Sequence, residues 1–120
     1  MIVGIGTDMI EIGRVVKACD KEAFLLRTFT DKELSKIEQN KGRAADNFAV
    51  KEAVSKMFGT GFRGIRLTEI EVLRDELGKP YAVLYGKAKE LAEQLGIGKI
   101  HISITNTKEF ASAFVVGECE

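Results

Sequence analysis

One run of residues constrains the fold of this chain more than any other. It is the helix-period stretch from about residue 43 to Phe58, closed by Gly59 at the C′ position. Within NFAVKEAVSKMFGTG, Asn47 to Gly61, the residues Ala49, Val50, Ala53, Val54 and Met57 make one apolar stripe. The stripe is about 140° wide, the usual width of a core-facing surface. Lys51, Glu52, Ser55 and Lys56 fall on the opposite face, and so does Phe48, one turn before Glu52. A phenylalanine on a solvated face hides little area, whereas one lining a ligand cleft or a subunit contact hides a lot.

The rest of the chain is arranged around that helix. Residues 2–12 are predicted as a strand interrupted by glycines. Residues 14–28 are predicted as a helix with Val15, Val16, Cys19, Ala23 and Leu26 on its apolar stripe. FTDKEL starts the next helix: Thr30 is an N-cap, Glu33 closes a capping box, and Phe29 with Leu34 makes a hydrophobic staple. That helix runs to about Asn40 and breaks at Lys41–Gly42. Residues 67–74 and 81–85 alternate as strands around the turn ELGKP. Residues 87–95 are a short helix, and 99–105 and 110–117 form a second hairpin. The order β-α-α-α-β-β-α-β-β predicts an α+β fold, a mainly antiparallel sheet with a long central helix. At 120 residues the whole chain, 1–120, reads as one domain.

Composition narrows the chemistry. Net charge is zero, so there is no global basic field for nucleic acid. No apolar run approaches a membrane span, and MIVGIGTD lacks the basic start of a signal peptide. With one histidine and two cysteines at no zinc or redox spacing, a Cys/His metal site is nearly excluded. Two free thiols fit a reducing cytosol, and a cytoplasmic protein is expected.

Hard oxygen ligation remains. Asp8 shares a strand face with Gly4 and Gly6, which clear the space beside it. A salt bridge, or a helix packed on the glycines, would equally account for that pattern. Glu52 has Lys56 at i+4, in the favourable order for a surface ion pair, but Phe48 argues against a solvated face. Two carboxylates from different elements with a lysine nearby suit Mg²⁺ and a phosphate. Arg14, Lys17 and Lys21 lie on one predicted helix face with Arg27 beyond, either a solvated face or a dock for an acidic protein. His101 and Ser103 share the non-isoleucine face of their strand, where a lone histidine is either structural or functional.

GIGTDMIEI, FAVKEAVSKMFGTG, LGKPYAVL and HISITNTKEFASAFVV together resemble the holo-[acyl-carrier-protein] synthases, the small bacterial-type 4′-phosphopantetheinyl transferases. The likeness spans essentially the whole chain. It implies Mg²⁺-dependent transfer of the 4′-phosphopantetheine arm of coenzyme A to a serine of apo acyl carrier protein, a step of fatty acid biosynthesis that releases adenosine 3′,5′-bisphosphate. It also implies a trimer with active sites between subunits. Carried over, Asp8 and Glu52 are the Mg²⁺ ligands, and Glu52 and Lys56 the catalytic pair. Coenzyme A contacts are implied at Phe48, Ser55, Lys56, Gly78, Lys79, Pro80, His101, Ser103, Asn106 and Thr107. Carrier-protein contacts are implied at Arg14, Lys17, Lys21 and Arg27. Two positions depart from the family pattern. Asn47 stands where arginine is common, and Asn106 stands where histidine is usual and cannot act as a base. A coenzyme A-binding module without turnover and a Mg²⁺-dependent nucleotide pyrophosphohydrolase are the competing readings.

Overall fold

The computed structural model describes residues 1–59 and 64–119. Thr60 and Gly61, the end of the opening motif, lie outside the described residues. The elements are β1 (Ile2–Glu11), α1 (Ile12–Ala18), α2 (Glu22–Thr28), α3 (Asp31–Gln39), α4 (Gly42–Met57), β2 (Ile70–Arg74), β3 (Pro80–Leu84), α5 (Gly86–Leu95), β4 (Lys99–Asn106) and β5 (Phe110–Glu118). The fold is α+β, and its strands form two antiparallel sheets, β1-β5-β4 and β2-β3. Residues 67–69, predicted as the start of a strand, are a turn of 3₁₀ helix.

The long helix α4 lies across β1 and β5. Gly4 and Gly6 make this possible, because a Cβ on either would collide with the Met57 or Ala53 carbonyl. The apolar stripe Ala49, Val50, Ala53, Val54 and Met57 is buried as predicted. It meets Val115 and Ala113 of β5 and the isoleucines Ile100, Ile102 and Ile104 of β4. The opposite face of the sheet is open: Ile5, Met9 and Phe114 are 59%, 66% and 48% exposed.

The helix predicted over 14–28 is two helices. The chain bends at Cys19–Lys21, where Lys21 is extended (φ −99°, ψ 119°). The bend rotates the second half, so Leu26 is 60% exposed while Phe24 and Leu25 turn inward with Val15, Phe29 and Phe48. One straight helix could not have brought Val15 and Phe24 to the same small core. The order therefore gains a helix, β-α-α-α-α-β-β-α-β-β. The Thr30–Glu33 capping box forms as expected, with both reciprocal bonds made.

Candidate active site

The α4 residues Phe48, Glu52 and Lys56 are spaced four apart and form one row on the helix surface. At its C-terminal end the row meets β1. Lys56 Nζ donates to Asp8 Oδ1 at 3.2 Å and to the Thr7 carbonyl at 3.1 Å. The Asp8 side chain is 14% exposed and that of Lys56 56%. Asp8 Oδ2 is enclosed and has no hydrogen-bond partner among the described residues. Glu52 is half-buried. Burial, and then the negative charge of Asp8, push its carboxyl above the usual carboxylate range, with Lys56 pulling the other way. Two carboxylates crowd each other here with one exposed ammonium to offset them.

Oxygen donors that repel one another and an enclosed oxygen without a donor fit a hard divalent cation. The surface ion pair considered from sequence, Glu52 with Lys56, is not formed, because Lys56 turns to Asp8. Asp8 is also salt-bridged, and a helix is packed on its glycines, the two alternatives that the strand pattern left open. The site is built on that packing.

Phe48 is half-buried against the Phe24 ring, with centroids 6.0 Å apart. With Met9, Ile10, Val15 and Phe110 it lines a groove of 440 Å³ that Arg14 also borders. A solvated polar face is thus the wrong picture of this helix. It is also wrong for a second row, Asn47, Lys51 and Ser55, all of them buried. Lys51 Nζ donates to Glu33 Oε1 at 2.8 Å and to the Leu67 and Ile70 carbonyls. Asn47 Nδ2 donates to Glu33 Oε2 at 3.0 Å and to the Val72 carbonyl. α3 and β2 cover this row, so Asn47 is a core residue, and Ser55, expected among the coenzyme contacts, is 1% exposed. Glu71, also buried, accepts from Thr30 Oγ1 and from Tyr85 Oη. None of this network was legible beforehand except the Thr30–Glu33 box.

The remaining expected contacts lie apart from Asp8. Gly78 (φ +86°), Lys79 and Pro80 form the β2–β3 turn, held by Asp75 Oδ1 accepting from the Leu77 and Lys79 amides. Lys79, Pro80 and His101 line one cleft of 630 Å³. His101 Nε2 stands 3.0 Å from Glu118 Oε1, and His101 and Ser103 are exposed on the outer face of the sheet, opposite α4. Asn106 donates to Asp46 Oδ1 at 2.9 Å, and Thr107 Oγ1 accepts the Glu109 and Phe110 amides of its own turn. Arg14, Lys17, Lys21 and Arg27 are all exposed, but on α1, the bend and α2 rather than on one helix face.

Among the described residues no helix is long and apolar enough to cross a membrane. The family model of the 4′-phosphopantetheinyl transferase superfamily matches residues 4–115, and the chain belongs to that superfamily. It is a transferase. A holo-[acyl-carrier-protein] synthase of Lachnoclostridium phytofermentans is 61% identical over 118 residues, 98% of this chain and 97% of its own. The crystal structure of holo-[acyl-carrier-protein] synthase from Neisseria meningitidis is 36% identical, with a TM-score of 0.87 over 98% of this chain and 99% of that one. The Bacillus anthracis synthase, solved in complex with CoA (3′,5′-ADP), is 36% identical with a TM-score of 0.82 over 100% and 99%.

Proposed function

We propose that this chain, acting as one domain, transfers the 4′-phosphopantetheine arm of coenzyme A to a serine of apo acyl carrier protein. The observation that carries this is the cluster of Asp8, Glu52 and Lys56, two crowded carboxylates and an exposed ammonium, with Glu52 one helical turn from Phe48, which lines an apolar groove. The relative solved with CoA supports the choice of co-substrate.

Asp8 and Glu52 are the residues that would hold Mg²⁺. Bound there, the ion supplies Lewis-acid neutralisation of pyrophosphate charge. Lys56 uses two of its donors on Asp8 and Thr7 and keeps a third for a phosphoryl oxygen. Its charge opposes the charge that grows on the transferring group. The carrier serine oxygen attacks the phosphorus bonded to pantetheine. The bond to the adenosine-side oxygen breaks, and the electron pair leaves with adenosine 3′,5′-bisphosphate. Glu52, beside the reacting phosphorus in this reading, is the residue that takes the serine proton. The Phe48 groove seats the apolar stretch of the arm, and Arg14 at its border, with Lys17, Lys21 and Arg27 beyond, faces the acidic carrier. The product serves fatty acid biosynthesis.

The working unit is a homo-oligomer, a trimer in this reading. The outer sheet face exposes Ile5, Met9 and Phe114, and a single three-stranded sheet cannot cover it. Asp8 sits on β1 facing α4, whereas His101 and Ser103 sit on β4 facing outward, with β5 between. A second copy that brings its β4 to the first copy's α4 would join the metal ligand Asp8 to the coenzyme contacts His101 and Ser103. The free Cys19 and Cys119 suit the reducing cytoplasm.

The test is the intact mass of apo acyl carrier protein after incubation with coenzyme A, Mg²⁺ and this protein. A gain of one phosphopantetheine is expected. Coenzyme A cleaved with no mass gain on the carrier would replace this reading with hydrolysis.

A further inference from the structure

Glu33 is a buried carboxylate that the transfer chemistry does not touch, and its two oxygens are fully used. Oε1 accepts from the Thr30 amide at 3.0 Å and from Lys51 Nζ at 2.8 Å. Oε2 accepts from Asn47 Nδ2 at 3.0 Å and from the Val72 amide at 3.2 Å. The donors come from the N-cap of α3, from α4 and from β2. Lys51 and Asn47 reach on to the same hairpin, Lys51 to the Leu67 and Ile70 carbonyls and Asn47 to that of Val72. β2 and β3 form a sheet of their own, without ladder bonds to β1-β5-β4. Among the described residues, the side-chain hydrogen bonds between α4 and β2 are those of Asn47 and Lys51.

Stability alone does not call for such a hub. Apolar residues of similar volume often hold a core as well as a buried ion pair does, or better. A fully satisfied polar network adds something else, a single arrangement of the elements it joins. α4 meets the main sheet through apolar stripe contacts, with Ala53 close over Gly6 and Met57 over Gly4. Such contact is non-directional, whereas a hydrogen bond weakens steeply with angle. The rotation of α4 about its own axis is therefore fixed most sharply by Asn47 and Lys51, the row that Glu33 holds.

That rotation matters to the next row. Glu52 follows Lys51 by one residue, about 100° round the helix. Turning α4 by about 10° would move an atom 5–6 Å from its axis by about 1 Å. A misplacement of that size can cost about 100-fold in rate, and Mg²⁺ is exacting about where its oxygen ligands stand. We infer that Glu33 is a positioning residue for the transfer reaction: through Lys51 and Asn47 it sets the rotation of α4, and so the placement of Glu52 and Lys56 opposite Asp8. This rests on the reading of Asp8, Glu52 and Lys56 given above.

Two variants test it. Asn47→Ala removes two bonds of the hub and keeps the Glu33–Lys51 pair, so the helix stays anchored and the protein folds. Glu33→Gln with Lys51→Met removes both charges at similar volume. Urea denaturation gives the folded fraction of each, and turnover is expressed per folded molecule. The expected kcat falls about tenfold in Asn47→Ala and about 100-fold in the double change. KM for the carrier should hold, because its docking cations lie on α1, the bend and α2. A readout without turnover is the Mg²⁺ concentration that half-saturates the rise in melting temperature, which should increase several-fold in both variants. The exposed control Lys89→Gln should change none of these. Variants that lose stability while kcat per folded molecule and the Mg²⁺ midpoint stay at wild-type values overturn the inference and leave the transferase reading intact. If the wild type transfers no arm to the carrier but the Mg²⁺ midpoint still rises in both variants, the positioning role stands and the transferase reading fails.

Discussion

Lys51 and Glu52 are adjacent on α4, and the fold treats their charges in opposite ways. Lys51 is fully enclosed, and its ammonium has the Glu33 carboxylate and two carbonyls as partners. Glu52 is half-exposed beside a second carboxylate, and the nearest ammonium has gone to Asp8. The first charge is buried because its partners are complete. The second is left with repulsion that only a cation or a proton relieves. A helix whose two polar rows differ this much separates structure from chemistry by one residue step, about 100° of rotation.

The largest effect expected from breaking this contrast is on the closed side. Lys51→Met leaves Glu33 buried without its ammonium and should cost about 3–5 kcal/mol of unfolding free energy. Urea denaturation measures it, and the double change Glu33→Gln with Lys51→Met should recover part of the loss. A cost below about 1 kcal/mol for the single change would mean the pair does not hold α3 to α4.

On the open side the loss falls on turnover. Asp8→Asn and Glu52→Gln should each lower Mg²⁺-dependent transfer by about 100-fold or more, the scale of a lost ligand to a charge-neutralising ion. The folding midpoint of Glu52→Gln should not drop. A Glu52→Gln variant active at ordinary Mg²⁺ would sink the metal assignment.

A smaller effect sharpens the comparison in metal-free protein. The folded pKa of Glu52 is raised, so between its unfolded and folded values the native state binds more protons than the unfolded state. Stability contributed by Glu52 therefore falls as pH rises through that window, and the penalty is complete above it. Glu52→Gln should flatten this part of the melting-temperature profile and melt no lower than wild type near neutral pH. Mg²⁺ should raise the wild-type melting temperature and act less on the variant. An unchanged profile in Glu52→Gln would show that the crowding is not felt.

The smallest expected effect is at the rim. Reversing Arg14 and Lys21 to Glu should raise the KM for the acidic carrier several-fold at low salt, because steering charges act on encounter. The difference should fade as salt shortens the screening length, about 10 Å at 0.1 M. Equal KM values at low salt would leave these cations as a solvated face.

The sequence alone determined what is local. The capping box at Thr30, the glycine stop at Gly59 (φ +79°), the two hairpins and the stripe of α4 depend on neighbours within a few residues, and each is where its pattern placed it. Asp8 beside its strand glycines and Glu52 one turn before Lys56 were each readable from short-range signals, and the family resemblance is what joined them into one site. Tertiary structure decided the rest. Periodicity marked Lys51 and Ser55 as polar and outward, yet α3 and β2 arrived to cover them, and Lys51 meets Glu33 across 18 positions. The bend at Cys19–Lys21 exists because Val15 and Phe24 share one core, and Glu33 meets the Val72 amide only because the hairpin folds back beside α4. Whether a charge is buried, paired or left in want of a partner depends on which distant element reaches it, and no local pattern carries that information.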